Sequence, residues 1–148
     1  MSTPSPLLDD NARAIVEKAI VASPYGKLLG LALESAEPDR VVVRLPYRSD
    51  VTTLGDTVHG GAIAGLVDTA ATAAFWAKSG LGAGARGTTI GFSLSFLSAG
   101  RGSDLLADAR GRRRGREICN GEVVVRDAKG AEVAQAIVTY KLSATPAS

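Results

Sequence analysis

The chain has 148 residues, 45% of them hydrophobic and 22% charged, with a formal net charge of +2 and one cysteine. That length suits one domain, large enough to bury a core without a disulfide or metal to hold it. The lone Cys119 excludes a disulfide framework and a cysteine-rich zinc site, and it fits a reducing, cytoplasmic setting.

Residues 1–8, with Pro4 and Pro6, read as a loose leader without the basic start, apolar core and cleavage site of a signal peptide. In "DDNARAIVEKAI" the cap residues Asp9, Asp10 and Asn11 precede Ile15, Val16, Ala19 and Ile20 at helical spacing. Pro24 and Gly26 are expected to close that helix. Residues 1–23 therefore make a leader and short helix, and residues 24–148 a single domain. Strands are expected at about Gly30–Ser35 and Arg40–Leu45, with "EPD" as the turn between them. After the loop "RSDVTTLGDT" comes a long helix, about residues 60–78, ended by the glycine-rich "KSGLGAGARG". The pattern then changes to period two. "TTIGFSLSFL" alternates Ile90, Phe92, Leu94 and Phe96 against glycine and serine. "DLLADARGRRR", "REICNGEVVVRD" and "AEVAQAIVTYKLS" complete four strands, the last two joined by a "DAKG" turn.

An all-round apolar helix has to be wrapped. The expected fold class is therefore α+β, a long central helix inside a curved antiparallel sheet of about six strands. The segment 61–77 is short for a membrane span and carries a charge near its centre, so no membrane partner is expected.

That charge is Asp68, the only one between Gly61 and Ala77. Its neighbours one turn away are Ala64, Gly65, Ala71 and Thr72, none of them basic. An unpaired carboxylate in an apolar core costs several kcal/mol. Three readings stand: Asp68 faces solvent at the helix edge, pairs with a distant arginine, or faces a cleft that uses its charge. His59-Gly60-Gly61 precedes it. The first N–H groups of a helix lack internal partners and carry the positive end of the dipole. Glycine there lets a ligand, or a developing oxyanion, approach the backbone. Gly61 and Asp68 share a helix face but lie roughly 10 Å apart along the axis. One carbonyl can reach both only if they come from different subunits, so a dimer with antiparallel helices is expected. Thr72 shares the face and either contacts the carboxylate or bonds its own helix carbonyl.

His59 is the only histidine, and no "GxSxG" elbow accompanies it. It positions the loop or touches substrate, and a metal site is not expected. Cys119 reads as a buried strand residue. Residues 101–116 hold six arginines against two aspartates. Arg110, Arg112, Arg113, Arg114 and Arg116 form either a solvated hairpin or a phosphate clamp. With seven aromatic residues and no nucleic-acid motif, no nucleic-acid partner is expected.

"VHGGAIAGLVDTAATAA" resembles the hotdog-fold acyl-CoA thioesterases of the PaaI-like (phenylacetic acid degradation) family. "PYGKLLGLAL", "TTIGFSLSFLSAG" and "GREICNGEVVVRDAKGAEVAQAIVTYKL" extend the resemblance over residues 24–143. It implies hydrolysis of an acyl-CoA at a subunit interface, in a homodimer at least and as a rule a homotetramer, without a cofactor. It implies that the Gly61 N–H polarises the thioester carbonyl. Asp68 of the partner chain would then be nucleophile or base, with His59 and the helper hydroxyl Thr72 beside them. Gly60, Thr53 and Thr89 would contact substrate, and Arg112, Arg113 and Arg114 the CoA phosphates. Thr53 and Asp56 stand where many members carry Asn and Gly. The alternatives are a non-catalytic acyl-CoA-binding domain and a hotdog dehydratase or hydratase. For the latter, neither "HxxxP" nor "GDxNPxH" is present.

Overall fold

A computed structural model describes residues 7–143. Residues 1–6 of the expected leader, and 144–148 at the other end, lie outside the described residues. Helix α1 (Asp10–Ala14) is capped by Asp9, whose side chain accepts the Ala12 N–H, and runs into a π-helical stretch, Ile15–Val21. Pro24 does not close this segment. It occupies the first turn of a second short helix, α2 (Pro24–Leu29), where a missing N–H costs nothing. Ser23 caps α2 by accepting the Gly26 N–H, and Gly30, at φ 74°, ends it in the left-handed conformation.

The sheet is formed by β1 (Ala32–Glu37), β2 (Arg40–Leu45), β3 (Arg86–Phe96), β4 (Leu105–Arg114), β5 (Ile118–Asp127) and β6 (Glu132–Ser143). The order is β1-β2-β4-β5-β6-β3, with every neighbouring pair antiparallel. β3 is thus an edge strand. Helix α3 (Gly60–Trp76) packs against the inner face, where Leu66, Val67, Ala70 and Phe75 meet Val41, Val43, Ala107, Val123 and Val138, all fully or almost fully buried. Both the six strands and the central helix match the sequence expectation. No helix among the described residues is long and apolar enough to cross a membrane.

Two departures matter for the site. The alternation Ile90, Phe92, Leu94, Phe96 does not run unbroken through β3. Thr89 pairs with Tyr140 and Gly91 with Thr139, so Ile90 is an extra residue in a β-bulge. Ile90, Phe92 and Phe96 are exposed, and only Leu94 packs against the core. The second departure is Arg114. Its guanidinium donates to Asp39 Oδ1 at 2.6 Å and to the Phe75 carbonyl at 2.8 Å, capping the C-terminal end of α3.

Candidate active site

Helix α3 buries every face but one. Ala62, Ile63, Leu66, Val67, Ala70, Ala71, Ala73, Ala74 and Phe75 are buried. Gly61 is exposed, and Gly65, Asp68, Thr72 and Trp76 are partly buried. These five recur every three or four residues and form a single stripe. Asp68 is its only charge.

Asp68 has no ion-pair partner among the described residues, which removes the distant arginine. Its carboxylate instead accepts the Thr89 hydroxyl on Oδ1 at 2.7 Å. The bulge at Ile90 explains that contact. Beyond it, even-numbered residues of β3 turn towards α3, as Leu94 and Phe96 do. Before it, the odd-numbered Gly87 and Thr89 do. Unbroken alternation would have turned Thr89 away. Thr72 makes no hydrogen bond to its own helix carbonyl among the described residues, so the ordinary helical alternative does not hold. Its hydroxyl lies beside that of Tyr140.

The start of α3 distinguishes its two glycine amides. His59 is the N-cap, and its Nδ1 accepts the Gly61 N–H at 2.7 Å. The Gly61 amide, expected to polarise a carbonyl, is therefore occupied by the chain's own histidine. This bond also assigns the neutral ring, with Nδ1 the acceptor and the proton on Nε2. Ala62 and Ile63 both donate to the His59 carbonyl. The Gly60 N–H has no acceptor among the described residues. Gly60 lines a cleft of about 320 Å³ together with Thr53, Val58, Ile63, Phe96 and Leu97. A Cβ on Gly60 would lie 3.2 Å from Phe96 Cζ, so glycine lets this ring lie against the amide.

The structure thus brings Thr53 to Gly60, and Thr89 to Asp68 with Thr72 one turn further along the same helix face, as two separate groups. Gly60 and Asp68 are eight residues apart on one helix, roughly 12 Å along its axis. Asp56 pairs with Arg101 at 3.5 Å, at the surface. Arg114 caps α3 and is not free for a phosphate. Arg112 is 62% exposed with Glu122 at 3.7 Å, and Arg113 is exposed without an ion-pair partner among the described residues. Arg110 turns to Asp108, which Arg40 also grips at 3.0 Å. Burial alone would push the Asp108 carboxyl up, but the two arginines outweigh it and hold it below its ordinary value.

Sequence reasoning missed three residues here. Phe96 reads simply as an apolar strand residue. Trp76 reads as the last turn of the helix. Tyr140 reads as one more inward position of β6, yet its hydroxyl accepts the Trp76 indole N–H and it pairs across the strands with Thr89. The inward alternation of β6 was the only available signal for it.

Comparison with known proteins adds a family. The model of the thioesterase superfamily matches residues 55–134. A protein of Halobacterium salinarum that carries a provisional esterase name is 32% identical, over 84% of this chain and 88% of that protein. Human acyl-coenzyme A thioesterase 13 is 25% identical, over 86% of this chain and 91% of its own. Among solved structures, the E. coli PaaI protein from the phenylacetic acid degradation operon superimposes with a TM-score of 0.79. It is 21% identical, with 90% of this chain and 94% of that one covered.

Proposed function

The chain belongs to the thioesterase superfamily, and we propose that it hydrolyses an acyl-CoA thioester with Asp68 as general base. The observation that carries this reading is the Thr89–Asp68 hydrogen bond on the open stripe of α3. Thr89 fixes one carboxylate oxygen, and Oδ2 keeps its lone pairs for a water. That water attacks the thioester carbon and its proton passes to Asp68. The negative charge that develops on the carbonyl oxygen is held by the Gly60 N–H of the partner subunit, at the positive end of α3. Collapse breaks the C–S bond, and the CoA thiolate takes the proton from Asp68.

Magnitudes support the proposal. A positioned base contributes a rate factor of roughly 10²–10⁴. One oxyanion donor contributes about 2.7–4 kcal/mol. The resemblance to human acyl-coenzyme A thioesterase 13 supports a CoA thioester as substrate, and the free, apolar edge of β3 supports a dimer. Exposed Arg112 and Arg113 supply the charge for CoA phosphates.

The test is thiol release from a panel of aryl-, short- and medium-chain acyl-CoAs, with wild type and Asp68→Asn side by side. Turnover that drops at least about 100-fold in the folded variant supports the base. Equal turnover removes it. Wild type that binds acyl-CoA without turnover would favour a non-catalytic binding domain. A nucleophilic Asp68 would give the acid an enzyme oxygen, which a single turnover in ¹⁸O-water detects.

A further inference from the structure

We infer that Tyr25 is a specificity-determining residue that closes the acyl end of the site at Gly65 and restricts the substrate to short acyl groups. The inference rests on the thioesterase reading above and names the substrate class of the same site. Gly65 lies on the open stripe of α3, one turn before Asp68. Glycine inside a helix is disfavoured unless something needs the space. Here a Cβ would lie 2.8 Å from the Tyr25 hydroxyl oxygen, 2.9 Å from Tyr25 Cε1 and 3.0 Å from Leu29 Cδ1. The place of a side chain at residue 65 is thus taken by the phenol of Tyr25, which rests on the helix backbone.

The position of that ring is built in. Tyr25 and Leu29 are four residues apart in α2 and share the face that meets α3. Ser23 caps α2 at one end, and the Arg48 guanidinium donates to the Leu28 carbonyl at the other. A Cβ at Gly26 would collide with the Val21 carbonyl, so glycine lets α2 fold back on the preceding helix. Leu29 is buried, while Tyr25 is 51% exposed. The ring therefore stands on the stripe as a fixed wall, with one side free to meet a substrate.

The direction of the acyl group follows from the opposite end of α3. Arg114 donates to the Phe75 carbonyl at 2.8 Å, so the part of β4 that carries Arg112 and Arg113 stands at the Trp76 end of the helix. A CoA held by those arginines leaves Asp68 towards Trp76, and its acyl group runs the other way, towards Gly65. With antiparallel helices that way leads between the subunits, which suits an apolar group. Gly65 is three residues from Asp68, roughly 4.5 Å along the axis. A short chain fits in that interval, and a longer one meets the Tyr25 ring.

The experiment compares butyryl-CoA with decanoyl-CoA on the full chain. Wild type should have the higher kcat/KM on butyryl-CoA. Tyr25→Ala should raise the ratio of kcat/KM for decanoyl-CoA to that for butyryl-CoA at least about tenfold, the scale of one methylene gaining a place in an apolar pocket. Tyr25→Phe should keep the wild-type ratio, because the ring and not the hydroxyl fills the groove. Tyr25→Leu shortens the side chain and keeps it apolar. Its ratio should rise less, in the same direction, and it carries the test if the alanine variant does not fold. An unchanged ratio in folded Tyr25→Ala or Tyr25→Leu, or a wild type that prefers decanoyl-CoA, would overturn this inference and leave the thioesterase reading standing. A wild type inactive on every thioester would remove the thioesterase reading and this inference with it.

Discussion

Thr89 donates its hydroxyl to Asp68 Oδ1 at 2.7 Å across the gap between the edge strand β3 and helix α3. It does so because Ile90 is an extra residue that reverses the parity of the strand. The hydrogen bond leaves Asp68 with one oxygen engaged and one available. Thr89→Val removes the donor and keeps the β-branched shape that suits a strand. Turnover should fall about tenfold, the scale of one hydrogen bond to a charged group, and Thr89→Ser should restore most of it. A Thr89→Val variant with full kcat would make the contact incidental.

Gly60 and Gly61 are adjacent, but their amides are not equivalent. His59 occupies the Gly61 N–H, and the Gly60 N–H faces the cleft unbonded. Gly60 is the first residue of α3, the helical position where proline is best tolerated. His59, at φ −63° and ψ 134°, already has the extended conformation required before proline. Gly60→Pro should therefore fold while deleting the N–H. Its kcat should fall about 10²–10³-fold, the loss typical of one oxyanion donor. Gly60→Ala brings a similar new contact with Phe96, 3.2 Å from Cζ, and keeps the N–H, so it should lose far less. Equal losses in the two variants would assign the effect to crowding.

The three arginines at the end of β4 divide by environment. The Arg114 side chain is 19% exposed and donates to Asp39 and to the last turn of α3. Arg114→Ala should destabilise the fold by about 1.5–3 kcal/mol, the range for a hydrogen bond to a charged group. Arg112 and Arg113 are exposed. Their double alanine variant should leave the melting temperature within a degree or two. It should raise KM for CoA thioesters and leave pantetheine thioesters unaffected. An equal KM effect on both substrate types would show that neither arginine meets the nucleotide phosphates.

The fold was legible because its signals are periodic. The apolar run of α3 spans all 17 of its residues, and buried positions alternate over Leu105–Ala109 of β4, through most of β5 and along β6. Asp68 stood out as a charge that such a helix does not tolerate without a use. The rest depended on single-residue events that no period records. The bulge at Ile90 is one extra residue in an otherwise regular strand, and only the pairing with β6 reveals it. The occupied Gly61 amide depends on the rotamer of one histidine. Arg114 looked like its neighbours because a run of arginines does not say which one turns inward. Pro24 breaks a helix and begins one equally well, and here Ser23 before it decided for beginning.

A site built from Gly60 and Asp68 has to be shared, because roughly 12 Å of helix separates them. β3 runs past both groups. Thr89 bonds Asp68, and Phe96 lies against Gly60. If two copies pair antiparallel along this free edge with Thr89 opposite the partner's Phe96, then, with Ile90 extra in each strand, Ser93 meets its own copy at the middle of β3 and Phe92 lies beside it, opposite the partner's Leu94. Each Asp68 would then approach the Gly60 end of the other subunit. Asp68→Asn and Gly60→Pro should each be inactive as homodimers. Co-expressed in equal amounts, they should recover about a quarter of wild-type activity. Half of a randomly assorted dimer population is mixed, and each mixed dimer holds one intact site and one doubly defective site. No recovery, with mixed dimers verified by differently tagged subunits, would place the chemistry within a single chain. Phe92→Glu supplies the complementary test. A charge at the centre of that edge should yield folded monomers without turnover, and a monomer that still turned over thioester would likewise hold a complete site in one subunit.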